Sequence, residues 1–435
     1  MSDDAGSASK GEGEGEGGRA AKKKPPKRSP SPTKANVAFA DYNYDERYFY
    51  KRLSREQRQK VTDFENNIHE LNESHVPLRF RLLLSELDLQ AKAVAMKKVN
   101  SLEGMDGSGY QKLLQWIDAL CSLPIGKYKG LPVAADADIS EFLDGMRDRL
   151  NDAVYGHEVA KGHVVRLLAQ WITNPKSKGL VVGIHGPPGV GKTQMCKSVC
   201  DVLKLPFAFV PLGGANDGCF LDGHSYTYEG ATWGKIADVL MKTRCMNPVL
   251  FFDELDKVSD THRGNEIVNL LIHLTDPTQN DKFNDKYFID IDLDLSKCLI
   301  VFSYNDETRI NPVLRDRMTR IKTSGYSVAD KVVISQKHLL PAVLREFLLE
   351  RDAMIADAEV MQHIVESIEE EQGVRNLKRA LHDIVSNINF DRLMGRRRDE
   401  EKTATIVITK EHVSKYVLQS GGDGSSFKPW QMMYC

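Results

Sequence analysis

The chain has 435 residues, enough for two or three domains at roughly 150 residues each. Its 59 basic and 61 acidic residues leave a formal net charge of −2, which excludes a globally basic nucleic-acid binder, and 41% hydrophobic with 28% charged residues suits packed cores. No apolar run approaches the roughly 18 residues of a spanning helix, no apolar stretch follows the N-terminal charges as in a secretory signal, and seven scattered cysteines argue for a reducing compartment over a disulfide framework. The expected location is intracellular, cytoplasmic or nuclear, with no membrane association.

Residues 1–36 are low-complexity, with a Gly-Glu alternation followed by a basic run from Arg19 to Lys34. So few apolar residues cannot offset the entropy of ordering, and the segment is predicted to be a disordered tail. Within it, residues 22–28 read as a solvated charge run, as a nuclear localisation signal, or as a polyanion-binding arm. Residues 37–152 are predicted to form a helical N-terminal region. It opens on six aromatics between Ala38 and Tyr50, interleaved with cations. Such a cluster can stack bases, although docking of an arm onto its own protein is the commoner use. Leu78, Leu82, Leu83, Leu87, Leu89 and Val94 lie near helical spacing, as do Leu113, Leu114, Ile117 and Leu120.

From residue 153 to 326 the pattern becomes alternating strands and helices. Apolar runs at Leu180–Ile184, Phe207–Val210, Val249–Phe252 and Cys298–Phe302 predict buried strands of a largely parallel sheet flanked by helices. Residues 327–418 read as a helical lid that includes a strand at Thr403–Ile408, and 419–435 as a C-terminal tail with an unusually apolar ending. Cys196 and Cys200, four residues apart, read as buried helix cysteines rather than as metal ligands.

The most specific signal is Gly186-Pro187-Pro188-Gly189-Val190-Gly191-Lys192-Thr193, which fits G-x-x-x-x-G-K-[ST] between a predicted strand and a predicted helix. Glycines let backbone N–H groups wrap phosphates, and the helix N-terminus adds partial positive charge. Lys192 would reach the β- and γ-phosphates of ATP, and the Thr193 hydroxyl would ligate Mg²⁺. The run Val249–Phe252 ends in Asp253 and Glu254, which places two carboxylates at the C-terminal edge of a buried strand, where open α/β sheets bind ligands. Asp253 is expected to hold Mg²⁺ through its water shell and Glu254 to orient or deprotonate the attacking water. Asn305, at the end of another predicted strand, is expected to contact the γ-phosphate or the lytic water.

Taken with Arg315-Asp316-Arg317 and Gly373-Val374-Arg375, these motifs stand in the order of an AAA+ ATPase. The chain resembles the ATPase module of the Lon protease family over roughly residues 77–418. Further strings carry that resemblance: Tyr155-Gly156, Gly213-Gly214, Gly223–Ala231, Asp253–Lys257, Asp276–Asn280 and Gly373–Leu377. The resemblance implies an α/β P-loop AAA+ fold with a helical N-terminal segment and a helical C-terminal lid. It implies Arg317 as an arginine finger acting on a neighbouring subunit, with Arg315 as a rival, and Arg375 as the lid's sensor arginine. Tyr155 and Gly156 would lie near the adenine. Tyr228 falls where the family places its substrate-gripping pore aromatic, with Glu229 beside it where an aliphatic residue is usual. Residues 259–264 would form a second pore loop. A homo-oligomeric ring, a hexamer by resemblance to the family, acting on polypeptide follows from the same likeness. The Ser-Lys protease domain of Lon is expected to be absent, leaving an ATP-hydrolysing unfoldase. The alternatives are the motor of a two-component protease with a separate peptidase, or an ATPase associated with nucleic acid.

Overall fold

The computed structural model describes residues 42–72, 77–101, 107–130, 139–174, 180–215, 217–394 and 405–417. The N-terminal tail with its basic run and the C-terminal tail read from the sequence lie outside these residues. The chain divides into two compact units, residues 1–77 and 78–435.

In the first unit, the aromatic stretch read as an arm is helical. Helix Tyr44–Arg52 starts at Asn43, whose side chain accepts from the Glu46 N–H while Glu46 reaches back to the Asn43 N–H. Tyr50 Oη bonds Thr62 Oγ1 at 3.0 Å across to helix Arg55–Asn72. Tyr44, Tyr48 and Phe49 point to solvent.

The second unit is built on five parallel strands. They are β1 (Val181–His185), β2 (Phe207–Pro211), β3 (Val249–Asp253), β6 (Leu299–Tyr304) and β7 (Thr319–Lys322), in the order β2-β3-β6-β1-β7. The two-residue strands β4 (Phe283–Asn284) and β5 (Asp292–Leu293) make a small antiparallel pair. Parallel strands covered by helices on both faces need apolar residues at every position, which explains the unbroken run Val249–Phe252. Phe252 and Phe302, both fully buried, stack at 5.2 Å on one face. Fully burying such side chains contributes about 1.5–3 kcal/mol each.

Helices cover the two faces with separate cores. One core joins Phe252, Ile300 and Phe302 to Ala91, Ala95, Trp116, Ile117 and Leu120 from helices Leu89–Ser101 and Ser108–Ser122. The other joins Val249, Phe251 and Val301 to Met146 and Leu150 of Ile139–Ala153 and to Val164 and Leu168 of Glu158–Thr173. The helices from residue 78 onward therefore belong to the same unit as the sheet, where the sequence suggested a separate helical region ending at 152. Cys196 and Cys200 lie buried in the second core, on helix Lys192–Leu203.

The lid has a third core, centred on Leu344, Met361, Leu377, Leu381 and Ile384. Its helices Val328–Ile334, Leu340–Glu346, Ala358–Ser367, Arg375–Leu393 and Lys410–Tyr416 are joined by a parallel pair of two-residue strands, β8 (Met354–Ile355) and β9 (Ile406–Val407). No helix among the described residues is long and apolar enough to cross a membrane.

Candidate functional site: a phosphate-loop cleft under the lid

The five strands carry their C-terminal ends to one edge of the sheet. β1 runs into the 186–191 loop, and Lys192 and Thr193 open the following helix. Beside it, β3 ends at Asp253 and β6 at Tyr304, one residue before Asn305. A cleft of about 1840 Å³ lies over this edge, lined by Gly189, Lys192, Thr193, Asp253, Glu254 and Asn305 from the sheet side. Val374, Arg375, Lys378, Arg379 and Lys415 line it from the lid.

The Lys192 ammonium donates to Asn305 Oδ1 at 2.7 Å, Gly186 O at 2.6 Å and Pro187 O at 3.1 Å. Burial pulls its pKa down to about 8, and Arg375 pushes the same way, while Asp253 and Asp256 oppose the shift. A cation in that condition gains a great deal from an anionic ligand. Asp253 accepts a hydrogen bond from the Ser303 hydroxyl of the adjacent strand. Glu254 sits at φ 59°, ψ 46°, a left-handed conformation that costs a side-chain-bearing residue about 1–3 kcal/mol. That turn swings its carboxylate onto Gly213. A Cβ at Gly213 would stand 2.1 Å from Glu254 Oε2, so a side chain there would push the carboxylate from its position.

The lid touches the phosphate loop directly. Val374 N donates to Gly189 O at 3.2 Å, and a Cβ on Gly373 would stand 2.2 Å from Pro188 O. Glu371 holds the start of the Arg375–Leu393 helix, accepting from the N–H groups of Arg375, Asn376 and Leu377. Arg375 is thereby placed one residue past the contact with the loop.

Tyr155 and Gly156 lie outside the lining of the cleft. Tyr326 ties them in: its hydroxyl lies 2.9 Å from Val190 O, to which it donates, and 3.3 Å from Tyr155 O, and its own N–H donates to Gln372 O. His157 Nε2 meets the same hydroxyl at 3.0 Å. Burial holds the His157 pKa below its ordinary value. His157, Ser303 and Tyr326 carry no motif of their own and were not legible as site residues.

Arg317 stands apart from the cleft. Its Nη1 donates to Ile272 O at 2.5 Å and its Nη2 pairs with Asp276 at 3.1 Å, at the C-terminal end of helix His262–Thr275. Tyr228 and Glu229 project on an exposed loop between helices Cys219–Asp222 and Lys235–Thr243, with Tyr228 69% exposed. Of the residues read as a second pore loop, Thr261 caps the 262–275 helix through the Gly264 N–H, and His262 and Arg263 form its first turn.

Residues 182–326 match the family described as "ATPase family associated with various cellular activities". A Lon protease homolog of Acanthamoeba polyphaga mimivirus is 42% identical over 256 residues, 59% of this chain and 25% of that protein. Lon protease of Malacoplasma penetrans is 32% identical over 323 residues, 74% of this chain and 39% of its own length. Lon protease 2 of Desulfotalea psychrophila is 32% identical over 357 residues, 81% and 44% respectively. The chain thus spans between a quarter and less than half of these relatives. Residues 182–326 are thus similar to the AAA family of ATPases, and the chain is similar to part of the Lon proteases.

Proposed function

We propose that this chain hydrolyses ATP in the cleft under the lid and uses the cycle to pull on polypeptide through the loop that carries Tyr228. The observation that supports it best is the convergence of Lys192, Asn305, Asp253 and Glu254 at one sheet edge, with the lid hydrogen-bonded to the phosphate loop.

The 186–191 loop and the helix N-terminus receive the phosphates, and Lys192 exchanges its carbonyl partners for the β- and γ-phosphate oxygens. Tyr155 and Gly156, tied to the loop through Tyr326, would lie toward the base. The Thr193 hydroxyl and Asp253 carboxylate, hard oxygen donors on the same cleft, suit Mg²⁺, which would neutralise charge on the phosphate oxygens. Glu254 takes the proton of the attacking water, and Asn305 positions that water or the γ-phosphate. Arg375 reads the phosphate state and moves the lid through Gly373 and Val374. Arg317 leaves Asp276 and completes the site of a neighbouring copy in a ring, which makes turnover depend on assembly.

Tyr228 supplies bulk that grips a chain of any sequence, and Glu229 adds a carboxylate beside it. The relatives are named proteases. Cleavage is assigned here to no residue of this chain, and a separate peptidase would dock as a partner. Glu254→Gln tests the catalytic assignment: the amide keeps the shape and loses the base. ATP binding, read by thermal shift, should persist while turnover falls about 10²–10⁴-fold. A loss below tenfold would remove Glu254 from this role.

A further inference from the structure

The loop from Gly223 to Gly234 is exposed at its tip and tied at its stem. His224 N donates to Thr232 O at 3.1 Å, and Gly234 N donates to the buried Asp285 carboxylate at 2.8 Å. The remaining ties come from far away in sequence. The Lys98 ammonium lies 4.6 Å from the Trp116 ring centre and 4.5 Å from the Tyr226 ring centre, and it donates to Tyr226 Oη at 3.2 Å. Lys112 Nζ donates to Thr227 O at 3.3 Å, one residue before Tyr228.

Trp116 is itself packed on all sides. It is fully buried, its Nε1 donates to Tyr287 O at 2.7 Å, and Tyr287 packs edge-on against both Tyr226 and Trp233. The two ends of the loop are therefore clamped onto one aromatic cluster. A lysine satisfied by a carboxylate would be an ordinary ion pair. Lys98 has no carboxylate partner among the described residues, and its charge is met by two ring faces and a hydroxyl.

We infer that Lys98, with Lys112, is a positioning residue for the Tyr228 loop, bracing its stem by a cation held between Trp116 and Tyr226. The inference rests on the reading of that loop as the polypeptide grip. Neither lysine touches nucleotide or substrate. They act through Tyr226 and Thr227, fixing the direction from which Tyr228 meets a chain and linking the helices at 89–122 to the loop. A stem that yields under load would dissipate the stroke, so ATP would be spent without movement of the substrate.

Lys98→Met keeps length and apolar packing and removes the charge, while Lys98→Arg keeps a cation over the rings. In Lys98→Met, hydrogen exchange of the 223–234 segment should quicken about tenfold while the rest of the sheet unit is unchanged. Basal ATPase should stay within about twofold, and ATP-driven unfolding of a tagged protein should slow about tenfold; Lys98→Arg should behave as wild type in all three assays. Unchanged exchange over 223–234 in Lys98→Met would overturn the brace. If Lys98→Met does not fold, Tyr226→Leu removes the ring from the loop side and should give the same exchange pattern, and unchanged exchange there would overturn it equally. Should exchange quicken while wild type unfolds no substrate, the brace stands and the grip reading falls.

Discussion

Gly213 has no side chain where the Glu254 carboxylate lies, so under the proposed role of Glu254 it helps set where that carboxylate acts. Gly213→Ala puts a methyl 2.1 Å from the carboxylate oxygen, so Glu254 must move. ATP should still bind, because Lys192, Thr193 and the loop are untouched. Turnover should fall by roughly 10²-fold, the usual consequence of misplacing a reacting group by about 1 Å. Steady-state ATPase beside a nucleotide-binding titration checks this, and a variant with wild-type turnover would show that Glu254 does not act from its observed position. At this scale the sequence was legible where one residue type alone serves. The phosphate loop reads directly, because its glycines, lysine and threonine stand in one string. Ser303 and Tyr326 do not, because a hydroxyl that orients Asp253 or bridges Val190 to Tyr155 leaves no local pattern.

Among elements, β1, β2, β3 and β6 follow from their apolar runs, whereas β7 does not. It lies at the sheet edge and buries only Ile321 between Arg320 and Lys322, so it has no run to read. The stem of the Tyr228 loop contains an element with its own pH dependence. Burial raises the Asp285 carboxyl from 3.8 to about 6 and nearby Asp222 adds to the rise, while the N–H groups of Gly234, Tyr287 and Phe288 oppose it. The folded chain thus keeps this proton at pH values where the unfolded chain has lost it. The favourable contribution is complete below about pH 4 and is lost as pH rises through about 6. Relative to Asp285→Asn, wild type should therefore gain stability, by about 1 kcal/mol, as pH falls from about 7 to about 5. Paired melting curves at several pH values measure the difference. A difference that stays constant with pH would mean that the carboxyl is not raised.

The second unit holds three cores: two on the faces of the sheet and one in the lid. That residues 89–101 and 108–122 share a core with β3 and β6 was not legible, because it rests on contacts between distant parts of the chain, as the 128 positions between Lys98 and Tyr226 illustrate. Arg317, held in this chain by Ile272 O and Asp276, is expected to act only between copies. Arg317→Ala should bind ATP normally and hydrolyse it about 10³–10⁵-fold more slowly, the size of a trans arginine's contribution. Mixing it with Lys192→Ala, whose subunits still carry Arg317, should restore part of the activity, and no recovery in mixed assemblies would argue against a trans role. The central claim, that ATP turnover moves polypeptide through the Tyr228 loop, is tested most directly by following unfolding of a tagged fluorescent protein with wild type and Tyr228→Ala under ATP and under ADP. The account predicts unfolding by wild type in ATP alone, and a Tyr228→Ala protein that hydrolyses ATP within a few-fold of wild type yet leaves the substrate folded; Tyr228→Ala unfolding it as fast as wild type would contradict the account.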